Sequence, residues 1–384
     1  MTATAIEKKH YKTIIVGGGQ AGLVTGYSLQ ALNEDFLILE AGESIGNSWR
    51  GRWDSLTLFT PAWASSLGGY KFPGNQNLHP GKDAMATYLH DYAKFHRLPV
   101  RTGTKVIALE KRAEVYHLET TTGEFSCNNV VIATGNFGKP KRPPFAAEIS
   151  REIKQIHSSQ YKRANDLPEG NVLVVGAGTS GIQIAIDMAR SGRKTYISGN
   201  PPAKIPGFIL KHFGKQFVWF AQNVLTIKTP MGRRLARKFK NEGTAAPLIN
   251  MSLQDAIDAG AEHVPKVKTT VKGLPVLQDY RKLDVKTIIW CTGFTTDFSW
   301  IRVDNILDAK GFPLSYRGIA TNHPGLYFMG MLFQYSLSSV TINGMTKDAR
   351  YIADHIHKTH PAAIEPLPEL NEIIPASITL DMVD

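Results

Sequence analysis

Apolar positions along the chain switch between two periods. Residues 12–17, KTIIVG, form a β-branched run that opens onto three consecutive glycines. Residues 20–32 then take helical spacing, and FLILE at 36–40 returns to strand character. A period of 2, then 3.6, then 2 again within about 30 residues predicts a βαβ unit. The design recurs from Asn171: NVLVV, a glycine turn, the helical run GIQIAIDMA and a second strand ending near Ser198. Between the repeats, 84–96 reads as a helix, strands are expected near Lys105 and Tyr116, and NVVIATGNF (129–137) reads as a buried strand ending in a turn. GKPKRPP (138–144) is a proline-rich linker. VKTIIWCTGF (285–294) repeats the strand-then-TG layout of 129–137, and GLYFMG (325–330) is a further strand. From Ser338 to about His357, Val340, Ile342, Met345, Ala349, Ile352 and Ile356 fall near one face, which predicts one long amphipathic helix. The pattern between 201 and 285 is mixed, and the last 20 residues are expected to be partly extended and poorly ordered.

Two such units in one chain predict an α/β protein with two Rossmann-like dinucleotide-binding domains. In the first, Gly17-x-Gly19-x-x-Gly22 has the spacing that phosphate binding requires: Gly17 for a tight turn, Gly19 for close approach of a pyrophosphate, Gly22 for helix–strand packing. Glu40 ends the next strand, where a carboxylate accepts ribose hydroxyls and repels a 2′-phosphate. A glycine turn that merely packs helix on strand is the competing reading; the strand before, the helix after and the acid weigh against it. In the second unit Gly176-x-Gly178-x-x-Gly181 repeats the turn, but Ser198, Gly199 and Asn200 stand where the acid belongs. With no acid and no arginine there, a relaxed site taking NADPH and NADH is expected, Arg193 and Lys194 lying at the far end of the strand. Paired sites imply hydride transfer between two cofactors, FAD in the N-terminal unit and NADP or NAD in an inserted one.

Composition narrows the class. The 384 residues are 42% hydrophobic and 20% charged, ordinary globular values. A net charge of +11 suits anionic partners, yet no nucleic-acid-binding signature accompanies it, so none is expected. Cys127 and Cys291 are the two cysteines and form no CxxC, which argues against a disulfide framework, a dithiol centre or a zinc site, and no metal is expected. The N-terminal residues lack the apolar core of a signal peptide and no run of about 18 apolar residues occurs, so a cytoplasmic protein without a transmembrane segment is expected.

The segments GGGQAG (17–22), GNSWRGRWDSLTLFTP (46–61), ATG (133–135), HSSQY (157–161), GAGTSG (176–181), CTGF (291–294) and GLYFMG (325–330) together resemble the class B flavin-dependent monooxygenases, the group of flavin-containing monooxygenases, plant YUCCA enzymes and Baeyer–Villiger monooxygenases. The fit is to the short bacterial type. His157 and Tyr161 keep the family's linker pattern, whereas Arg151 and Ile153 replace its Phe and Gly, and Phe59 stands where many members carry an active-site Asn. Tyr161 favours the flavin-containing type. The resemblance implies an FAD-binding domain in two parts, 1–150 and 294–384, the latter with the C-terminal helix. The NAD(P)-binding domain, 151–293, carries a basic and aromatic insertion. It implies that NAD(P)H reduces FAD and that a C4a-(hydro)peroxyflavin passes one oxygen atom from O2 to a small apolar sulfide, amine or ketone.

The expected cofactor contacts are Gly17, Gly19, Gln20, Ala21, Gly22, Glu40, Ala41, Trp49, Arg50, Thr134, Gly135, Gly176, Gly178, Thr179, Ser180, Gly181, Ser198, Asn200, Thr292, Gly293, Gly330 and Ser338. Phe59, Thr60 and Trp63 are expected to line the substrate side. Trp49 suits stacking on the flavin or plain core packing, and Arg50 suits a reduced ring's negative charge. The helix from Ser338 is expected to aim its N-terminus at the flavin. His157 reads as a hinge or hydrogen-bonding residue rather than a base, and no catalytic acid or base stands out. The aromatic 207–227 stretch suits a lid, an oligomer contact or a membrane-surface helix, a lid or oligomer contact being preferred; the basic 228–240 stretch suits the NADP phosphate, anionic lipid or a solvated helix face, the last being the default; and a homodimer is possible. Two rivals remain: an NAD(P)H oxidase or electron-acceptor reductase without oxygen insertion, and a non-catalytic flavin-binding regulatory protein.

Overall fold

The computed structural model describes residues 9–136, 138–242 and 247–359; the expectation for the last 20 residues lies outside them. Two sheets organise the chain. In the first, strands Val100–Arg101, Phe36–Leu39, His10–Val16, Gly123–Ile132 and Leu326–Phe328 lie side by side, all parallel. Val106–Arg112 and Val115–Thr120 extend it antiparallel along the front half of Gly123–Ile132. The second sheet is wholly parallel, in the order Ala261–Val264, Thr195–Ser198, Val172–Val175, Thr287–Trp290, Lys154–His157. Phe36–Leu39, Thr195–Ser198 and Thr287–Trp290 are buried at every position. That is why Phe36–Leu39 reads as a continuous apolar run rather than as an alternating one.

The fold is α/β with two Rossmann-like units, the second inserted between strands Gly123–Ile132 and Leu326–Phe328 of the first. The chain crosses out and back through one two-strand ribbon, Lys139–Pro140 antiparallel to Phe294–Thr295. One apolar core runs through both units, from Ile15, Val24 and Leu58 to Tyr161, Val174 and Ile182. The unreadable middle region resolves into helices Gly207–Asn223, Pro230–Glu242 and Leu253–Asp258, the edge strand Ala261–Val264 and a hairpin, Val267–Val271 with Leu274–Leu277.

One expectation needs correction. The helix does not begin at Ser338: residues Leu337–Val340 form a single 3₁₀ turn, the chain is irregular to Gly344, and the α-helix is Met345–Thr359. Serine hydroxyls compete for the backbone here. The Ser339 hydroxyl accepts the N–H groups of Tyr335 and Ser336, each at 3.0 Å, and the Thr341 hydroxyl donates to the Ser338 carbonyl at 2.7 Å. The β-branched run Val340–Thr341–Ile342 adds its own resistance to helix. Met345, Ala349, Ile352 and Ile356 do share one buried face, which packs on helix Gln20–Gln30.

Candidate dinucleotide sites and the seam between them

The two glycine turns have nearly the same geometry. Gly17 sits at φ +112° and Gly176 at +113°, a region L side chains avoid. A Cβ on Gly17 would lie 2.6 Å from the Ala133 carbonyl oxygen, and one on Gly176 2.4 Å from that of Cys291. A Cβ on Gly22 would lie 1.8 Å from the Gly17 oxygen, and one on Gly181 1.7 Å from the Gly176 oxygen. At Gly19 and Gly178 it would meet nothing within 4 Å. Helices Gln20–Gln30 and Thr179–Arg190 start at those open glycines, with no side-chain cap and no acid in the first turn. Each start therefore offers unpaired N–H groups and the positive end of a helix dipole to an anion. Two cradles that a Cβ would fill, each facing bare helix N–H groups, fit a dinucleotide pyrophosphate.

The strand ends next to the turns differ. The Gly17 N–H donates to the Leu39 carbonyl and the Gly176 N–H to the Ser198 carbonyl, each at 2.8 Å, so Glu40 and Gly199 hold equivalent places. Glu40 accepts the N–H of Gly18 through Oε2 and of Gly42 through Oε1, both at 2.7 Å, which fixes the carboxylate beside the turn. Gly199 sits at φ +121°, with its carbonyl 2.9 Å from His263 Nε2. Ser198 is buried, and its hydroxyl donates to the Pro265 carbonyl and accepts the Val267 N–H. Asn200 is exposed beside it. Arg193 lies at the far end of the strand, on the carbonyls of Leu167 and Pro168.

Around the first turn the structure gathers Trp49, whose indole Nε1 donates to Gln20 Oε1 at 3.3 Å. Arg50 is turned back onto its own loop, donating to Ser44 and to the Ile45 carbonyl. Thr134 and Gly135 are exposed just past strand Gly123–Ile132. Asn136 joins them to the adjacent strand end by donating to the Gly330 carbonyl at 2.9 Å. A Cβ on Gly330 would stand 3.4 Å from that of Ala21. Ala41 is exposed next to Glu40, while Ser338 is buried with its hydroxyl on Ser336. In the second unit Thr179 and Ser180 open the helix, and Thr292 and Gly293 bind the crossing linker: the Thr292 hydroxyl donates to the Lys141 carbonyl, and the Lys141 N–H to Gly293.

The 49–65 segment fills the seam between the units. The Asp54 N–H donates to the Lys162 carbonyl, Asp54 pairs with Arg163 at 3.0 Å, and Lys162 donates to the Gly51 carbonyl. The Gln183 amide donates to the Thr57 carbonyl at 2.9 Å, and the Asn250 amide to that of Phe59 at 3.2 Å. Thr60 shares its hydroxyl with Ser65 at 2.8 Å. Trp63 lies under helix Gly207–Asn223, where a Cβ on Gly214 would be 3.5 Å from the indole. His157 is fully buried: Nδ1 accepts the Ser159 N–H, so Nε2–H donates to the Gly293 carbonyl at 3.0 Å. Burial lowers its pKa below the usual value against the pull of the Gly293 bond, which raises it, and Arg142 and Arg52 add to the lowering. This is a hydrogen-bonding residue at the crossing. Sequence reading passed over Gln183 and Asn136; the only signal for Gln183 was a lone amide within the apolar run GIQIAI.

The described residues hold no helix long and apolar enough to cross a membrane and no His, Cys, Asp or Glu cluster able to hold a metal. Both cysteines are free, and burial pushes both thiols up.

Two bare helix starts, each following a parallel strand and joined by a shared seam, give the chain the layout of an oxidoreductase with two dinucleotide cradles. Residues 14–203 match the family described as pyridine nucleotide-disulphide oxidoreductase. The chain is 38% identical over 344 residues to an uncharacterized CzcO-like oxidoreductase of Geobacillus kaustophilus, covering 89% of this chain and 97% of the relative. It is 27% identical over 378 residues to the indole-3-pyruvate monooxygenase YUCCA1 of rice, Oryza sativa, covering 90% and 91%. Its fold is shared with a flavin-containing monooxygenase from Stenotrophomonas maltophilia at a TM-score of 0.74 and 23% identity, over 91% of this chain and 99% of that one. The chain belongs to the family of the CzcO-like oxidoreductases.

Proposed function

We propose that the chain is an FAD-dependent monooxygenase, reduced by NADPH or NADH, that inserts one atom of O2 into a small apolar sulfide, amine or ketone. The observation that carries this reading is the doubled glycine turn, open at Gly19 and Gly178 and acidic only beside the first. The divisions 1–150, 151–293 and 294–384 are the corresponding FAD, NAD(P) and FAD segments.

In this reading the N–H groups at Gln20–Gly22 take the FAD pyrophosphate and Glu40 orients the ribose hydroxyls. Trp49, held by Gln20, packs against the ring, with Thr134, Gly135 and Gly330 at the neighbouring strand ends. Thr179–Gly181 take the nicotinamide dinucleotide. Asn200 meets its ribose, and no carboxylate there rejects a 2′-phosphate. Bound flavin supplies hydride acceptance and oxygen activation. The chain's part is to position both dinucleotides and to keep the seam at Thr57, Phe59 and Trp63 dry. His157 orients the crossing rather than moving a proton. Relatives named as monooxygenases support oxygen insertion over simple oxidase activity.

The test is anaerobic reduction by NAD(P)H followed by oxygen and an apolar sulfide. Oxygenated product in proportion to oxygen consumed is expected; hydrogen peroxide alone identifies an oxidase, and a flavin that NAD(P)H does not bleach identifies a non-catalytic protein. The kcat/KM ratio between NADPH and NADH is expected to stay below about a thousandfold, roughly 4 kcal/mol.

A further inference from the structure

We propose that the consecutive helices Gly207–Asn223 and Pro230–Glu242 form a docking surface for an anionic lipid bilayer. Their inner sides are occupied. Ala221 is buried, Gly214 lies on Trp63, and Phe239 packs on Phe333 with ring centroids 5.7 Å apart. Their outer sides are apolar where a water-facing helix is polar: Phe208 is 64% exposed, Phe213 54%, Trp219 62% and Met231 58%. The first helix is kinked at Phe213; Phe208 is exposed before the kink, and Lys215 and Trp219, one turn apart, are exposed after it. On the second, Met231, Arg234 and Lys238 recur at helical spacing, flanked by Arg233 and Arg237, all exposed.

The charge on this face is uncompensated. Lys240 is paired with Asp308 at 2.6 Å, and Arg233 donates to the Lys228 carbonyl. Among the described residues no ion pair engages Lys215, Lys228, Arg234, Arg237 or Lys238. Aromatic side chains beside unpaired lysines and arginines are the composition of a helix lying in a membrane interface, rings at the acyl boundary and cations among the headgroups. A second copy of the chain would set one cationic face against another. A nucleic acid offers phosphates but no apolar layer for Phe208, Trp219 and Met231. A phosphorylated headgroup over hydrocarbon answers both halves of the surface. The proposal is independent of the reaction assigned to the chain.

The full chain is floated with phosphatidylcholine vesicles, with and without phosphatidylglycerol. It is expected to rise with the anionic vesicles, to stay behind with the neutral ones, and to be released by high salt. The double substitution Arg234→Gln and Arg237→Gln is expected to weaken partitioning about tenfold or more. Phe208→Ser with Trp219→Ser is expected to abolish flotation at low salt, with circular dichroism and Tm unchanged in both variants. Absence of wild-type flotation overturns the proposal. So does flotation that survives both variants, a concentration-dependent dimer that hides Trp219, or preferential binding to RNA or duplex DNA.

Discussion

A single methyl group discriminates the two jobs of a glycine turn. Gly19→Ala places its Cβ in open space at an ordinary φ of −77°, so the fold is expected to keep its Tm while FAD retention falls at least tenfold. Gly22→Ala drives its Cβ into the Gly17 oxygen and is expected to lower both. Gly178→Ala is the mirror experiment: flavin content stays, and the KM for NAD(P)H rises. Absorbance of bound flavin and a melting curve read all three. At His157 the folded state holds the proton less tightly than the unfolded chain, because burial lowers the pKa. Its contribution to stability is present above the usual histidine value of about 6.5 and is lost as pH falls through the lowered value. His157→Asn is therefore expected to be costly at pH 8 and to flatten the acid limb of the Tm–pH curve.

At the scale of elements, what was legible was what repeats. The strands buried on both faces announce themselves as apolar runs, and the two turns announce themselves by glycine spacing. The helix start near Ser338 was illegible because an apolar face continues through Val340 and Ile342, although serine and threonine hydroxyls there bind the backbone in a non-helical path. The edge strand Ala261–Val264 was missed because it carries exposed Glu262 and His263 in an otherwise short segment. Which hydroxyl faces inward was not readable either. Ser198 looked like a ribose contact but is engaged by Pro265 and Val267, bonds set by a loop far along the chain. The true helix carries a tension of its own in its first turn. Burial pushes the Asp348 carboxyl up to about 6, against the counter-pull of Ser339 and Arg317. The folded state binds this proton more tightly than the unfolded chain, so its favourable contribution is full below the ordinary aspartate value of 3.8 and is lost as pH rises through about 6. At neutral pH the ionised group costs on the order of 3 kcal/mol. Asp348→Asn is expected to raise Tm by several degrees at pH 8 and to change little at pH 4, measured by calorimetry.

For the whole molecule, the seam ties the two proposed dinucleotide sites together. Gln183 bridges from the second unit's first helix to the Thr57 carbonyl. Gln183→Leu is expected to leave flavin content and Tm nearly unchanged, since one such bond is worth about 1 kcal/mol. It is expected to slow anaerobic flavin reduction severalfold and to divert more of the consumed oxygen to peroxide. Stopped-flow absorbance and peroxide assay distinguish this from loss of binding. In the proposed function, coenzyme choice falls to the second strand end. Asn200→Asp is expected to move preference toward NADH by about tenfold in the kcat/KM ratio, since it brings a carboxylate near the place of a 2′-phosphate. The neighbouring Gly199 makes any stronger shift hard to reach. Its backbone, at φ +121°, shuts out the acid that its counterpart Glu40 supplies in the first unit. The discrimination at this corner is thus written in the backbone rather than in a side chain: an engineer seeking strict NADH use must reshape the bend at Gly199 before recoding it.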